Sequence, residues 1–299
     1  FDGADLFSIK LPEDQWFTTD RRLGFIFAVE FGMGSAFTWW PVMGGLSRLV
    51  RKRSHVVGPS VLGIALLGAA AISTVAALAG AAYGTADPTI WMIDLGGRVV
   101  GSLIVCFIMV SNIATMVIMM YLCGVSVQHI KFVSSRRWEL VIAFLLVPAI
   151  PLAFHTEWLL SKVMTWLNYD GLIFTGLSAV MIVDYFVLRR QRLDLIGLFS
   201  KSSSGPYWFW GGVNWVAIGV SIASVPAYLW LYDPVTMEAR DQFSYLGAAL
   251  PVVVVAAGLY WTGMKFITIP LGKGGYTTSK SSINTTQTYD RMERLDVGL

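Results

Sequence analysis

The chain has 299 residues, of which 55% are hydrophobic and only 14% are charged, and its formal net charge is +3. Soluble domains carry about 25% charged residues, so the composition excludes a soluble globular protein and indicates a polytopic membrane protein. The two cysteines and three histidines show no metal-ligand spacing, and no pairing of nucleophile and base is evident, so we expect neither a metal centre nor an enzyme. The basic residues lie between apolar segments, and we expect no nucleic-acid partner.

The first apolar segment, residues 23–50, is long enough to cross a bilayer but contains residues that a lipid-facing helix rarely uses. Its centre reads Glu30-Phe31-Gly32-Met33-Gly34-Ser35-Ala36-Phe37-Thr38-Trp39-Trp40-Pro41. Glycine and proline weaken a helix, and an acid at mid-membrane costs about 2.5–3.5 kcal/mol on insertion scales. The pattern predicts a helix that is partly broken over residues 32–39, beside a solute cavity. The alternative is a kinked packing helix whose Glu30 finds a buried donor.

Six further apolar segments follow, and we expect each of them to cross the membrane. They cover approximately residues 56–83, 97–123, 138–154, 158–188, 208–232 and 243–269. The fifth segment of the chain, residues 158–188, is too long for one straight crossing. Its Asn168-Tyr169-Asp170-Gly171 turn signal predicts a break or a short preceding helix.

The loops alternate in charge, and most Lys and Arg residues follow the first, third, fifth and seventh segments. Positive-inside bias then places the N-terminal stretch outside the cell and the C-terminus in the cytoplasm. We therefore expect residues 1–22 to form an extracellular or periplasmic loop, residues 23–269 the transmembrane region, and residues 270–299 a disordered cytoplasmic tail. The expected location is the cell membrane, with multiple passes.

Polar side chains interrupt the third segment in Ser111-Asn112-Ile113-Ala114-Thr115-Met116. Ser111 and Thr115 are four residues apart and share a helix face. These groups can provide oxygen ligands for a cation and an amide for a polar solute. Alternatively, they form interhelical hydrogen bonds worth about 0.6–2 kcal/mol each. The residues alone leave both interpretations open.

Two other features have structural and functional interpretations. Asp184 lies near the end of the fifth segment, one to two turns before Arg189 and Arg190, and this spacing favours a structural ion pair at the membrane edge. Trp39 adjoins the predicted break, where an indole face is a good platform for a flat heteroaromatic solute. Trp40 is expected to be an anchor at the membrane interface.

The second half of the chain contains an ordered set of motifs. They are Ile182-Val183-Asp184-Tyr185-Phe186-Val187-Leu188-Arg189-Arg190, Leu193-Asp194-Leu195, Leu198-Phe199, Gly205-Pro206-Tyr207-Trp208 and Gly211-Gly212-Val213-Asn214-Trp215-Val216-Ala217. A further motif ends the first apolar segment and reads Trp39-Trp40-Pro41-Val42-Met43-Gly44-Gly45-Leu46-Ser47-Arg48. Over about residues 20–265 these motifs resemble the nucleobase:cation symporter-1 family. Members of that family carry purines, pyrimidines, hydantoins, allantoin or thiamine-like vitamins together with Na⁺ or H⁺.

The resemblance implies an all-α membrane protein with a leucine-transporter-like fold, in which two inverted five-helix repeats are followed by two extra helices. This chain, with about seven transmembrane helices, would hold the second repeat and both extra helices. It would then be the C-terminal portion of a symporter that imports a nucleobase or related heterocycle. Its partners would be that small molecule, the lipid bilayer and the missing N-terminal helices of the same protein. No cofactor is implied besides the coupling ion, Na⁺ or H⁺. The alternatives are an amino-acid transporter of the same architecture and a non-transporting membrane scaffold.

The resemblance also implies where the two ligands bind. Ser111 falls where the family places a cation-ligating hydroxyl, and the carbonyls of Phe107 and Val110 lie nearby. Asn112 falls on the first asparagine of the same helix. The predicted cation-binding set is Phe107, Val110 and Ser111, and the predicted substrate-binding set is Gly34, Ser35, Phe37, Trp39, Asn112 and Met116.

Two positions depart from the family pattern. Met116 stands where many members keep a second, substrate-binding asparagine, and Gly45 replaces the usual aspartate. Both changes remove a polar group and so bear on which heterocycle is carried.

Overall fold

A computed structural model describes residues 18–47, 50, 54–84, 88–128, 130–198, 203 and 205–276. Within these ranges the structure is helical, with isolated β-bridges at Trp210–Val213 and Tyr232–Ala239 and no β-strand. The α-helices of this part of the chain are α1 (Arg21–Ser47), α2 (Ser54–Pro59), α3 (Ser73–Tyr83), α4 (Pro88–Val127), α5 (Lys131–Ser134), α6 (Trp138–Leu146), α7 (Ala149–Ala153), α8 (Thr156–Ser161), α9 (Val163–Ile182), α10 (Leu195–Leu198), α11 (Trp215–Leu231), α12 (Phe243–Leu246) and α13 (Ala249–Gly263). Segments of π-helix, Ser60–Ile72, Val183–Leu188 and Met264–Thr268, continue α2, α9 and α13. The prediction of an all-α protein is confirmed.

Four helical stretches in the described ranges are long and apolar enough to cross a membrane. They are His55–Tyr83, Thr89–Val127, Thr165–Leu188 and Ala249–Thr268, and two shorter apolar stretches are Trp138–Ala153 and Trp215–Leu231. A stretch of about 20 apolar residues matches the thickness of the hydrocarbon core. These helices fit a multi-pass membrane protein, while seven crossings and a leucine-transporter-like architecture stay predictions.

The chain forms two compact units. The first unit comprises the described residues of Phe1–Gly24 and Trp39–Lys162, and the second those of Phe25–Thr38 and Val163–Leu299. Helix α1 contributes to both units, and the chain passes from the second unit to the first between Thr38 and Trp39.

In the first unit, α4 packs against α3 and α6. Gly124 permits the crossing of α4 and α6, because a Cβ atom there would lie 2.6 Å from the Trp138 ring. A kink divides α4 at Gly97, whose φ of 65° lies in the left-handed region that favours glycine. Gly45, the position where the family pattern has aspartate, leaves room for Leu122, since a Cβ atom there would lie 2.5 Å from Leu122 Cδ2.

In the second unit, α9, α11 and α13 pack against one another. Their shared core consists of Ala179, Val183, Val220, Ala256, Tyr260 and Met264. The face of α9 toward α11 is built from small residues, and a Cβ atom at Gly176 would lie only 2.8 Å from Ser224 Cβ. Small residues allow helices to approach closely where lipid provides no hydrophobic driving force.

The predicted break in the first segment is wrong, because α1 is a continuous helix from Arg21 to Ser47. Gly34 is buried, and a Cβ atom there would lie 3.1 Å from the carbonyl oxygen of Leu167 and 3.5 Å from Gly171 Cα in α9. The glycine therefore serves close helix packing and does not interrupt the helix. The structure agrees with the alternative in that α1 is a packing helix and Glu30 finds buried donors.

The fifth segment is divided by a turn at Lys162, and the predicted short preceding helix is confirmed as α8. The Asn168–Gly171 stretch is not a turn but lies within α9. Asn168 is buried, and its Nδ2 donates to the Tyr232 hydroxyl at 2.9 Å. This long-range hydrogen bond thus stabilises the helical conformation of a sequence whose local preference is for a turn.

Candidate functional site

The predicted substrate residues on α1 fall on both sides of the boundary between the units. Gly34 is buried against α9, Ser35 and Phe37 are half-buried in the second unit, and Trp39 is 39% exposed at the start of the first unit. The side chain of Trp40 lies outside the described part of the structure, so its role as an interface anchor stays a prediction. Contact of these residues with a solute stays a prediction.

The predicted cation residues lie on α4 in the first unit, together with two of the predicted substrate residues. The cation set Phe107, Val110 and Ser111 and the substrate residues Asn112 and Met116 are all exposed on this helix. Thr115 Oγ1 donates to the Ser111 carbonyl at 3.0 Å, so this hydroxyl bonds within its own helix. The helix thus presents the hydroxyl of Ser111 and the amide of Asn112 on an otherwise apolar surface, and ion binding there stays a prediction.

The second unit contains a buried polar group that we call the Glu30 cluster, formed by Glu30, Tyr228, Ala248 and Ala249. Glu30 is 3% exposed, and its Oε1 accepts from the Tyr228 hydroxyl at 2.7 Å and from Ala249 N at 2.9 Å. Its Oε2 accepts from Ala248 N at 2.9 Å and from Ala249 N at 3.1 Å. The first N–H groups of a helix lack partners within that helix and form its positive end. The Glu30 carboxylate therefore caps α13.

Aromatic rings cover the Glu30 cluster on one side. The Phe27 ring lies 4.9 Å from Phe243 and 5.7 Å from Tyr232, and Tyr232 lies 5.0 Å from Phe243. Tyr228 lies near the end of α11, and the ring of Tyr232, the extended residue that follows the helix, lies 6.2 Å from the Tyr228 ring. These rings keep water from the carboxylate, so its hydrogen bonds act in a low-dielectric environment and are strengthened.

A second polar group, the Asp184 cluster, is formed by Asp184, Arg189, Tyr260 and Tyr276. Arg189 Nε donates to Asp184 Oδ2 at 2.7 Å, which confirms the predicted ion pair. Asp184 Oδ1 accepts from the Tyr260 hydroxyl at 3.0 Å and from the Tyr276 hydroxyl. Burial raises the pKa of Tyr276 above its usual range, and the nearby Asp184 raises it further, so this phenol stays protonated and donates. The cluster fixes the end of α9 to α13 and to the segment that follows it.

The guanidinium of Arg189 makes three further contacts. Its Nη2 donates to the Gly274 carbonyl at 3.0 Å, and its Cζ lies 4.7 Å from the Tyr207 ring and 4.1 Å from the Tyr276 ring. Two aromatic faces and two acceptors around one guanidinium are a stable, desolvated arrangement. This geometry supports the structural interpretation of Asp184 over a catalytic one.

Sequence reasoning missed the tyrosines that complete both clusters. Tyr228, Tyr260 and Tyr276 have no local signal besides being polar-tipped aromatics in or beside apolar segments. A hydroxyl at such a depth needs a partner when it is buried. A search for tyrosines in or beside apolar segments as partners for each intramembrane acid would have included these three residues. It would not have shown which tyrosine contacts which acid.

The sequence model of a family described as permease for cytosine/purines, uracil, thiamine and allantoin matches residues 13–247. The chain belongs to this permease family. The match covers most of the chain, including α1, α4, α9 and α11. It confirms the resemblance drawn from the sequence motifs and identifies the protein as a member of a family of transporters.

Named relatives match this chain over shorter stretches. A hydantoin permease of Microbacterium maritypicum is 43% identical over 56 residues, which are 19% of this chain and 11% of the relative. An allantoin permease of Bacillus subtilis (strain 168) is 23% identical over 121 residues, 40% of this chain and 24% of the relative. A purine-uracil permease of Arabidopsis thaliana is 28% identical over 127 residues, 41% of this chain and 20% of the relative. Each of these matches spans less than a quarter of the relative's own length. No solved structure gives a significant match.

Proposed function

We propose that this permease chain is part of a secondary active transporter that imports a nucleobase or related flat heterocycle together with Na⁺ or H⁺. The observation that carries the proposal is the family match over residues 13–247. The names of the relatives point to hydantoin, allantoin, purine and uracil as cargo. These molecules share a flat ring with amide-like donors and acceptors, which suits a site with an aromatic face and a side-chain amide.

In the proposed mechanism the protein alternates access to a site near the bilayer centre. The Trp39 and Phe37 rings stack on the heterocycle, and Asn112 hydrogen-bonds its edge. The Ser111 hydroxyl and the carbonyls of Phe107 and Val110 bind the cation. A helical carbonyl keeps a second lone pair beyond its bond within the helix, so it can still bind an ion.

The exposure of the polar positions on α4 supports a site of this kind. Ser111 and Asn112 are exposed on a stretch, Thr89–Val127, that is apolar enough to span a bilayer. A polar group at that depth is costly against lipid and normally faces protein or a water-filled cavity. These two side chains therefore require partners beyond α4, and a solute with its coupling ion satisfies them.

Uptake by cells that express the full-length protein tests the proposal. Radiolabelled hydantoin, allantoin, uracil and hypoxanthine are compared with leucine, each with and without a Na⁺ gradient and with and without a pH gradient. We expect uptake of at least one heterocycle and its loss when one of the gradients is collapsed. Uptake of leucine alone would favour an amino-acid transporter, and no uptake of any solute would favour a scaffold.

The membrane orientation is a further part of the proposal, based on the alternating charge of the loops. Residues 270–299 are proposed to lie in the cytoplasm and residues 1–22 outside, although residues 1–17 and 277–299 lie outside the described structure. A Ser282→Cys variant in a background without Cys106 and Cys123 should not react with an impermeant maleimide in intact cells, and should react after permeabilisation. Strong labelling of intact cells would invert the proposed topology.

A further inference from the structure

We infer that Glu30 is a positioning residue of the transport site, whose carboxylate holds the part of α1 that carries Gly34, Ser35 and Phe37 against α11 and α13. The inference rests on the proposed function, because it gives these α1 residues a solute to bind. Nothing in the family match assigns a role to Glu30 or to its partners.

The hydrogen bonds of Glu30 connect three separate elements. The acid comes from α1, Tyr228 comes from α11, and Ala248 and Ala249 form the start of α13. Both carboxylate oxygens accept hydrogen bonds, from three donors in all, because the Ala249 N–H is shared between them. The described structure places no basic side chain against this acid, so the donors are a phenol and the N-terminus of a helix.

The position of Glu30 along α1 links it to the predicted substrate residues. Gly34 lies one turn later on the same face, where it contacts α9, and Phe37 lies seven residues after Glu30, again on that face. Phe27, one turn earlier, is buried against Phe243. The Glu30 carboxylate is therefore the polar anchor of a continuous contact face, which ends where α1 enters the first unit at Trp39.

A polar anchor achieves what apolar packing alone does not. Apolar contacts are non-directional, so they oppose rotation or sliding of a helix only weakly. Hydrogen bonds weaken steeply with angle and distance, and three donors on one carboxylate fix both the rotation and the height of α1. Because α1 is continuous from Glu30 to Phe37, a rotation of the helix at Glu30 would redirect Ser35 and Phe37 by the same angle. A displacement of about 1 Å in a binding site has large effects on function.

Gly247 provides independent support from the loop before α13. Its φ of 71° is in the left-handed region, and a Cβ atom there would collide with Glu30 Oε2. The local backbone thus leaves space for the carboxylate. A Gly247→Ala change displaces the carboxylate while it keeps both Glu30 and Tyr228.

The test compares Glu30→Gln, Tyr228→Phe and Gly247→Ala in the full-length permease. Glu30→Gln replaces one acceptor oxygen with a donor that faces backbone N–H groups, whereas Tyr228→Phe removes a single O–H donor and leaves the cap on α13 intact. Asp184→Asn is the matched control, because Asp184 is an acid of the same unit with three donor contacts outside the Glu30 cluster. Each variant is measured for KM and maximal uptake of whichever of the four heterocycles is carried, at saturating cation, and for Tm in detergent.

We expect all three variants to raise KM by about threefold to tenfold, less than the full effect of one lost charge-assisted hydrogen bond, because Glu30 acts on the solute only through α1. The increase should persist at saturating cation. Asp184→Asn should lower Tm without changing KM. If the cluster variants lower Tm as the control does and leave KM unchanged, Glu30 is a structural cap only and the inference is overturned. Absence of any heterocycle uptake by the wild-type protein would instead overturn the proposed function, and this inference with it.

Discussion

Replacing Asp184 with alanine is expected to destabilise the protein by about 3 kcal/mol, the scale reported when one partner of a buried ion pair is removed. The side chain of Arg189 is 7% exposed, and that of Asp184 is 26% exposed. The change leaves a guanidinium largely buried without its carboxylate, and it leaves the hydroxyls of Tyr260 and Tyr276 without an acceptor. The Tm of the full-length protein in detergent measures the loss.

Asp241→Ala is the matched control for this prediction, because Asp241 is an exposed acid of the same unit. It should change Tm by much less, as surface substitutions usually do. A double variant, Asp184→Ala with Arg189→Met, should recover part of the lost stability, since no buried charge then lacks a partner. Equal Tm values for Asp184→Ala and Asp241→Ala would show that the cluster contributes nothing to stability.

The Asp184 cluster shows which contacts a sequence can predict. Asp184 and Arg189 are only five residues apart, so their nearness in sequence predicts the ion pair, and the π-helical turn Val183–Leu188 brings the two side chains together. Tyr260 and Tyr276 are separated from Asp184 by 76 and 92 residues. Their contacts depend on how α9 packs against α13, and no local pattern encodes that packing.

Helix α1 shows why a local signal can be misinterpreted. Glycines and an acid within a membrane-length segment indicate either a broken helix or a close helix crossing, since both need small residues and a partner for the charge. The partners of Glu30 are 198 to 219 residues away, so the sequence offered no basis for choosing between the two. Four of the seven predicted apolar segments overlap helices that are long and apolar enough to cross a membrane, because hydropathy and length are local properties.

The same argument limits the predicted transport site. The predicted site residues on α1 and those on α4 were assigned to one transport site because of the family resemblance. No spacing in the chain indicates that they lie together. The structure describes α4 in the first unit and Gly34, Ser35 and Phe37 in the second. A functional experiment that treats the two sets separately is therefore the direct way to assign them.

The Ser111→Ala and Trp39→Ala variants provide that experiment, because the two changes should respond differently to the coupling ion. Loss of the Ser111 hydroxyl is expected to weaken cation binding by about 1–3 kcal/mol, which is about fivefold to 150-fold. Binding of cation and solute is linked, so solute affinity at low cation should also fall, and it should recover at high cation. Solute binding to the full-length protein across a Na⁺ titration, and then a pH titration, measures both effects.

Loss of the Trp39 ring should instead lower solute affinity at every cation concentration. The ring is 39% exposed at the start of the first unit, so it is available for stacking. Stacking of a base on an aromatic side chain is worth about 1–3 kcal/mol, and no cation concentration replaces that contact. Rescue of both variants by high cation, or of neither, would contradict the division of roles between α4 and α1. A Ser111→Ala variant with unchanged affinities under all conditions would remove Ser111 from the cation site, because a hydroxyl that binds the ion cannot be deleted without weakening it.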